Sequence, residues 1–289
     1  MSAEPLTLTR SKPVDFVDRA TPLRSEVKKR PSFHLTKKIP DFWLKSLIPI
    51  ALLVAWEIST RYAWLDPIFL PRPSLVAKAF YELLFKDHLL VDLRVSGVTV
   101  LEGFSIGAVL GLLTGIAAGL SSTVDKLIGS TLNSIRQVPP LAFLPLIILW
   151  AGAGSAGKIV LISKVVFFPV FMNTLQGIRG VAREYIEVGK IFEYSRLRLL
   201  RKVILPAALP SIFVGIRYGA GMAWFMIIAA EMLGSRHGLG YLLMRAQELL
   251  LTDQLFLVII LIGSIGFVVD VGLRGVERRL LRWKRGFEG

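Results

Sequence analysis

Tyr185-Ile-Glu-Val-Gly-Lys-Ile-Phe-Glu-Tyr-Ser-Arg196, continued by Val203-Ile-Leu-Pro206-Ala-Ala-Leu-Pro210, is a basic, amphipathic stretch that runs into a helix-restarting proline between two long apolar runs. On a helical wheel Ala182, Tyr185, Ile186, Gly189 and Phe192 share one face, and Arg183, Glu184, Glu187 and Lys190 share the other. A short helix with one apolar stripe can seat in a partner's groove. Placed between spanning helices, it would give a soluble partner a surface to push on. The competing reading is a loop helix that touches only lipid headgroups. The length, the position and the Ile-Leu-Pro continuation favour docking.

The apolar runs on either side decide the fold class. The chain has 289 residues, of which 53% are hydrophobic, and its mean hydropathy is +0.59. Several runs of about twenty apolar residues read as transmembrane helices, because a helix rises about 1.5 Å per residue across about 30 Å of hydrocarbon. Six spans are expected, near 46–64, 98–120, 137–151, 156–176, 207–233 and 255–275, the third with its helix beginning earlier, near Asp125. The expected class is an all-α polytopic membrane protein. Residues 1–44 are polar and carry Pro5, Pro13, Pro22, Pro31 and Pro40. They lack an apolar core followed by a small-residue cleavage site, so they read as a disordered basic cytoplasmic tail before a membrane domain over 45–289.

The charge, +14 at pH 7, would suggest nucleic acid on a soluble protein. Here its distribution follows the positive-inside rule. Basic residues concentrate before residue 46, in segment 177–206 (Arg179, Arg183, Lys190, Arg196, Arg198, Arg201, Lys202) and from Arg274 onward. With six spans these blocks and the loop 121–136 fall on one side, so both termini are expected in the cytoplasm. The opposite side offsets its bases with Asp66, Glu82, Asp87 and Asp92, and beyond the fifth span holds only Arg236 and Arg245. Segment Ser74 to Phe85 carries Leu75, Ala79, Phe80, Leu83 and Leu84 at helical spacing and is expected to lie along the outer surface.

Glycine recurs every fourth residue in the second span: Gly103, Gly107, Gly111, Gly115 and Gly119. Each step turns the face by about 40°, which traces a slow groove into which another helix can pack closely. Gly215 and Gly219 repeat the device in the fifth span. Charges within spans are costly and mark function. Lys164, Arg217 and Glu231 fall in spans, with Asn173 as a polar companion; Asn173, Arg217 and Glu231 are the candidates for a pathway. Inter-helix pairing or snorkelling would equally account for these charges. There is no cysteine, so disulfides and thiol chemistry are excluded. His34, His88 and His237 are scattered and Glu231 is isolated, which argues against both a metal site and a membrane-embedded enzyme. A non-transporting scaffold would use the glycine seams but leave the amphipathic helix unexplained. No G-x-x-x-x-G-K-S/T phosphate loop occurs, so the chain is not expected to hydrolyse ATP alone.

The stretch around residue 187 resembles the Glu-Ala-Ala loop of ABC importer permeases, in which Glu-Ala-Ala, three residues, Gly and nine residues precede Ile-x-Leu-Pro. Glu187, Leu205 and Pro206 match, Val203 replaces Ile, and Val188 and Gly189 stand for the alanines. Glu193 stands where the family has Gly, so either the turn is built differently or Glu193 meets a basic group on the partner. Leu70-Pro-Arg-Pro-Ser, Val138-Pro-Pro-Leu-Ala-Phe-Leu-Pro-Leu, Phe167-Phe-Pro-Val-Phe-Met-Asn-Thr, Ala229-Ala-Glu and Gly238-Leu-Gly-Tyr look like the nitrate/sulfonate/taurine branch, from about residue 42 to the end. The resemblance implies the type I importer permease fold in a bacterial inner membrane, with the coupling segment at 179–206. It implies a second copy of the chain, two ATP-binding subunits that carry ATP and Mg, an extracytoplasmic substrate-binding protein, and no cofactor on this chain. Tyr185, Ile186, Glu187, Gly189, Phe192, Glu193 and Arg196 would contact the ATP-binding subunit. The cargo would be a small oxyanion, a sulfonate or taurine by preference, with nitrate or bicarbonate as the alternative.

Overall fold

The computed structural model describes residues 41–283 except 63–65, 67 and 153; the tail expected over 1–44 lies almost wholly outside them. The described residues form helices and no strand: α1 (Asp41–Arg61), α2 (Pro73–Phe85), α3 (Leu89–Leu120), α4 (Ser122–Gln137), α5 (Leu144–Ala151), α6 (Ser155–Arg179), α7 (Arg183–Ile191), α8 (Arg196–Leu199), α9 (Leu205–Gly234), α10 (Leu239–Glu248) and α11 (Thr252–Leu280). The chain divides at Ile48/Pro49, and the packing below is that of the second unit.

Among the described residues, four helices are long and apolar enough to cross a membrane: α3, α6, the continuous α8–α9 rod over Arg196–Gly234, and α11. They carry large apolar side chains outward, among them Leu101, Leu113, Phe225 and Phe267. In hydrocarbon that exposure costs nothing, because the solvent is as apolar as the side chain. The first expected span falls on α1. Its Glu57 carboxylate accepts hydrogen bonds from the Ser74 N–H and hydroxyl, both at 3.1 Å, and so caps the start of α2.

Two expectations are corrected. The third span is not one helix: α4 begins at Ser122 but ends at Gln137, and the chain turns by 88° before α5. Pro139 and Pro140 cause the break, since neither has an N–H and each ring clashes with the preceding turn. Val138 and Pro139 are accordingly extended, and a 3-10 turn over Pro140–Phe143 restarts the helix. In α2 the buried stripe is Val76, Ala79 and Leu83, while Leu75 and Phe80 point outward. The stripe packs with Leu89, Leu239, Leu242, Leu257 and Val258 into one cluster.

The centre is a three-helix layer with α6 between α3 and α9. Gly103, Gly107, Gly111, Gly115 and Gly119 all face α6. A Cβ on Gly111 would lie 2.7 Å from the Phe167 carbonyl oxygen, and one on Gly115 would lie 2.7 Å from Thr174 Cβ. On the far side of α6, a Cβ on Gly215 would lie 2.8 Å from both Asn173 Cβ and the Pro169 oxygen, and one on Gly219 would lie 3.2 Å from Val166. The helices therefore touch through backbone. Ser163 donates across the first seam to the Gly103 carbonyl (3.1 Å), and Ser211 across the second to the Asn173 carbonyl (2.8 Å).

The seam predicts a position-specific cost. Gly111→Ala should destabilise by about 1–3 kcal/mol, the usual scale of overpacking, because backbone of α6 must retreat. Gly97→Ala, with nothing within 4 Å of the added carbon, should be neutral or slightly stabilising. Thermal unfolding of the two variants in detergent checks the contrast, and equal melting temperatures would remove the close-approach argument.

Candidate functional site

The coupling segment is a compact substructure. After α6 ends at Arg179, α7 runs over Arg183–Ile191 and the chain reverses before α8. Only one side of α7 is packed. Gly189 is buried against Leu199, whose Cδ1 would lie 2.5 Å from an added Cβ and would have to shift, and Ile186 joins the cluster of Ile178, Val181, Ile204, Ala208 and Ile212. The remaining apolar residues point away: Tyr185 is 61% exposed, Ile191 78% and Phe192 67%. Glu187 and Arg196 are also exposed. Tyr185, Val188 and Phe192 form one wall of a groove of about 1190 Å³, and Lys202, Pro206 and Trp283 contribute to the others. α7 thus offers a largely exposed apolar ridge, met by the Tyr194 ring beside Phe192, and a charged, exposed flank.

Glu193 adopts φ 52°, the left-handed conformation, without being glycine. Its N–H donates to the Lys190 carbonyl at 2.9 Å, and the Tyr194 N–H to the Gly189 carbonyl at 3.0 Å. These two bonds are the Schellman helix end. The turn is therefore the one a glycine would make, and a glutamate adopts it.

Beyond this turn Ser195 caps α8 by accepting from the Arg198 N–H. The chain then passes into α9 through a π-turn over Leu200–Ile204, in which the Leu205 N–H reaches the Leu200 carbonyl. Pro206 has no N–H to give, and the wider turn lets the rod continue through it. At the other end of the loop, Arg179 bridges α6 to Asp125 of α4 at 2.7 Å.

The three in-span candidates lie at three different places. Arg217 on α9 divides its guanidinium between Glu277 (3.1 Å) and Asp270 (3.3 Å) of α11, and Arg274 also pairs with Asp270. It clasps two helices. Glu231, 1% exposed, accepts from Ser96 of α3 at 2.8 and 2.9 Å and from the Gly240 N–H of α10 at 2.9 Å. Asp92 accepts from the Gly238 N–H at 2.7 Å, and Ser96 from the Leu239 N–H at 3.0 Å. The first turn of α10 is thus held by groups from α3 and α9, which satisfy its free donors and suit the positive end of its dipole. A Cβ on Gly238 would run into the Glu231 carboxylate, which ties the Gly-Leu-Gly-Tyr stretch to that acid. Asn173 donates to the Pro169 carbonyl at 2.9 Å and lines a separate cavity of about 430 Å³. Among the described residues no group of His, Asp or Glu could hold a metal ion.

Sequence reasoning missed the partners: Asp92, Ser96, Asp270 and Glu277. Spacing carried the available signal, since Asp92 and Ser96 are four residues apart, and Asp270, Arg274 and Glu277 step by four and three along one helix face.

Comparison with known proteins places this geometry. Residues 107–282 match the family model described as binding-protein-dependent transport system inner membrane component. The Bacillus subtilis protein SsuC, described as an aliphatic sulfonates transport permease, is 38% identical over 86% of this chain and 90% of its own length. The taurine transport system permease TauC of Escherichia coli is 36% identical over 82% and 87%. The bicarbonate transport system permease CmpB of Synechococcus elongatus is 30% identical over 81% of each chain.

Two outcomes follow from the turn and the buried acid. Glu193→Gly should stabilise the end of α7 by up to about 1 kcal/mol, the left-handed penalty of about 1–2 kcal/mol less glycine's own entropic cost of about 0.5–1 kcal/mol. Slower hydrogen exchange at the Tyr194 amide would register it; faster exchange would contradict it. Glu231→Ala leaves the Gly240 N–H and the Ser96 hydroxyl without an acceptor and should cost about 3–5 kcal/mol. The measurement is the yield of folded protein in detergent, which Glu57→Ala, at a more exposed cap, should leave much closer to the parent's.

Proposed function

The chain belongs to the family of binding-protein-dependent transport system inner membrane components, and from that premise we propose that it is the membrane-spanning permease subunit of an ATP-driven importer for a small oxyanion, an aliphatic sulfonate or taurine by preference. The observation that carries this reading is α7: a short helix anchored by Gly189 and Ile186 whose apolar ridge and acidic residue Glu187 are left open. The ridge is the docking element for an ATP-binding subunit. Two such subunits hold ATP and Mg and perform the hydrolysis, two copies of this chain enclose the route, and an extracytoplasmic binding protein delivers the cargo. Both termini face the cytoplasm, as the concentration of Lys and Arg beside α7 and after Arg274 supports. The sulfonate preference is supported by the identity to SsuC and TauC. Bicarbonate is the second reading, favoured by the likeness to CmpB over a similar share of the chain.

In this reading Tyr185, Val188 and Phe192 supply apolar area to the dock, and Glu187 and Arg196 set its charge register. Arg217 supports the route indirectly, by fixing α9 to α11. Glu187→Lys in the complete transporter should lower sulfonate-dependent ATPase activity roughly tenfold, the effect of about 1.4 kcal/mol at a charged interface, while the variant chain is made and inserted normally. Taurine, ethanesulfonate and bicarbonate uptake by cells carrying the transporter as their single importer separates the two cargo readings. Growth on neither sulfonate, with bicarbonate uptake intact, would decide for the second.

A further inference from the structure

Arg179 and Arg217 both have carboxylate partners; Lys164 does not. It lies in the first half of α6, nine residues from its start, and its ammonium has no hydrogen-bond partner. Its one neighbour of note is the Phe143 ring, 3.2 Å from Nζ to the centroid. Phe143 is brought there by the turn that follows Pro139–Pro140. A ring face is a single weak acceptor, whereas an ammonium has three donors, so the charge retains donors that nothing in the fold uses. A cation left so within a spanning helix is costly.

Lys164 also lines the cavity of about 430 Å³ that reaches Arg136, Phe168, Asn173, Tyr218 and Met222. Arg136 and Lys164 contribute cationic side chains to its lining and no carboxylate does, among the described residues; the Lys164 ammonium itself lies covered, against the Phe143 ring. Pro140, Val165, Phe168, Pro169, Met172 and Met222 make the rest of the lining largely apolar. One strongly anionic head and a short hydrocarbon chain suit such a wall; a bare hydrated anion would use only the cationic part.

We propose that this cavity is a binding site for the transported anion, in which the Lys164 ammonium turns from the Phe143 ring to receive the sulfonate head and Phe168 and Met222 receive an aliphatic chain of a few carbons. The inference rests on the importer reading and adds to it the place where the cargo sits and the feature that favours a sulfonate over bicarbonate.

The absence of cysteine allows a direct test on the full chain in lipid nanodiscs. Tyr218→Cys places a thiol at the 63%-exposed position of the cavity wall. Its modification rate is measured with sulfonatoethyl methanethiosulfonate, itself a short sulfonate, and with the trimethylammonioethyl analogue. The anionic reagent should be favoured, and adding Lys164→Gln should lower the anion-to-cation rate ratio roughly fivefold, the scale of one unit charge about 9 Å away in a water-like dielectric acting with opposite sign on the two reagents. Lys164→Arg should preserve the ratio. Butanesulfonate should protect the thiol more strongly than bicarbonate at equal concentration. A ratio unmoved by Lys164→Gln, or protection by bicarbonate equal to that by butanesulfonate, overturns the proposal. Should Lys164→Gln not fold, the protection series on the Lys164 parent decides alone. Neither readout requires ATP, a partner subunit or transport. Failure here alongside sulfonate uptake in cells removes the site and leaves the importer reading; an intact charge preference without uptake does the reverse.

Discussion

Backbone-to-backbone contact along α6 is the constraint on which the rest of this fold depends. In lipid the hydrophobic effect does not press helices together, so close packing and internal hydrogen bonds must. The five glycines of α3 and the pair on α9 let both helices approach α6 until carbonyl oxygens replace side chains as the contacting atoms. The candidate site residues are then positioned from α6. Its last residue, Arg179, holds α4, α7 follows after a short turn, Asn173 and Lys164 contribute to the lining of one cavity, and α9 carries Arg217 near its middle and Glu231 in its last turn.

The polar groups divide into those that the fold consumes and those that it leaves available. Glu231, Asp92 and Ser96 are spent on the first turn of α10, whose Gly238, Leu239 and Gly240 N–H groups donate to them. Arg217 is spent on Asp270 and Glu277. A charge already balanced by opposite charges or by donors of the protein has less left for a passing ligand. Arg217, paired through both terminal nitrogens although its Nε has no partner, and Glu231, which accepts from Ser96 and Gly240, therefore have a weaker claim to contact cargo than Lys164, which has no carboxylate partner. The same division applies to apolar surface. The exposed apolar residues of α3 and α11 belong to helices long and apolar enough to cross a membrane, whereas those of α7 belong to a helix too short and too charged to do so.

Much of this was legible in the sequence because it was periodic. A glycine every fourth residue can mean little else in an apolar helix, and the amphipathic repeat around Glu187 marked α7, with the Glu193 position identified as the turn. The all-α class followed from run length. What was not legible depended on contacts between distant segments. The acids that hold Arg217 lie more than fifty residues away, and the donors that hold Glu231 include backbone N–H groups that no side-chain pattern reveals. The third span was misjudged because composition measures hydropathy along the run, whereas two adjacent prolines decide its direction. The stripe of α2 was misjudged because Val76 and Leu75 are equally apolar, and only the packing of α10 and α11 selects between them.

The two seams also fix how the molecule can deform. Helices that meet through side chains can slide by rotamer exchange; helices that meet through carbonyl oxygens and serine bridges have no such play. Layer α3–α6–α9 must therefore move as one stiff plate. Any rearrangement driven from α7 has to be taken up at the margins of the plate, where the backbone already departs from the α-helix: the π-turn at Leu200–Ile204 on one side and the proline bend between α4 and α5 on the other. Among the described residues, neither of these two short stretches lies in the layer itself.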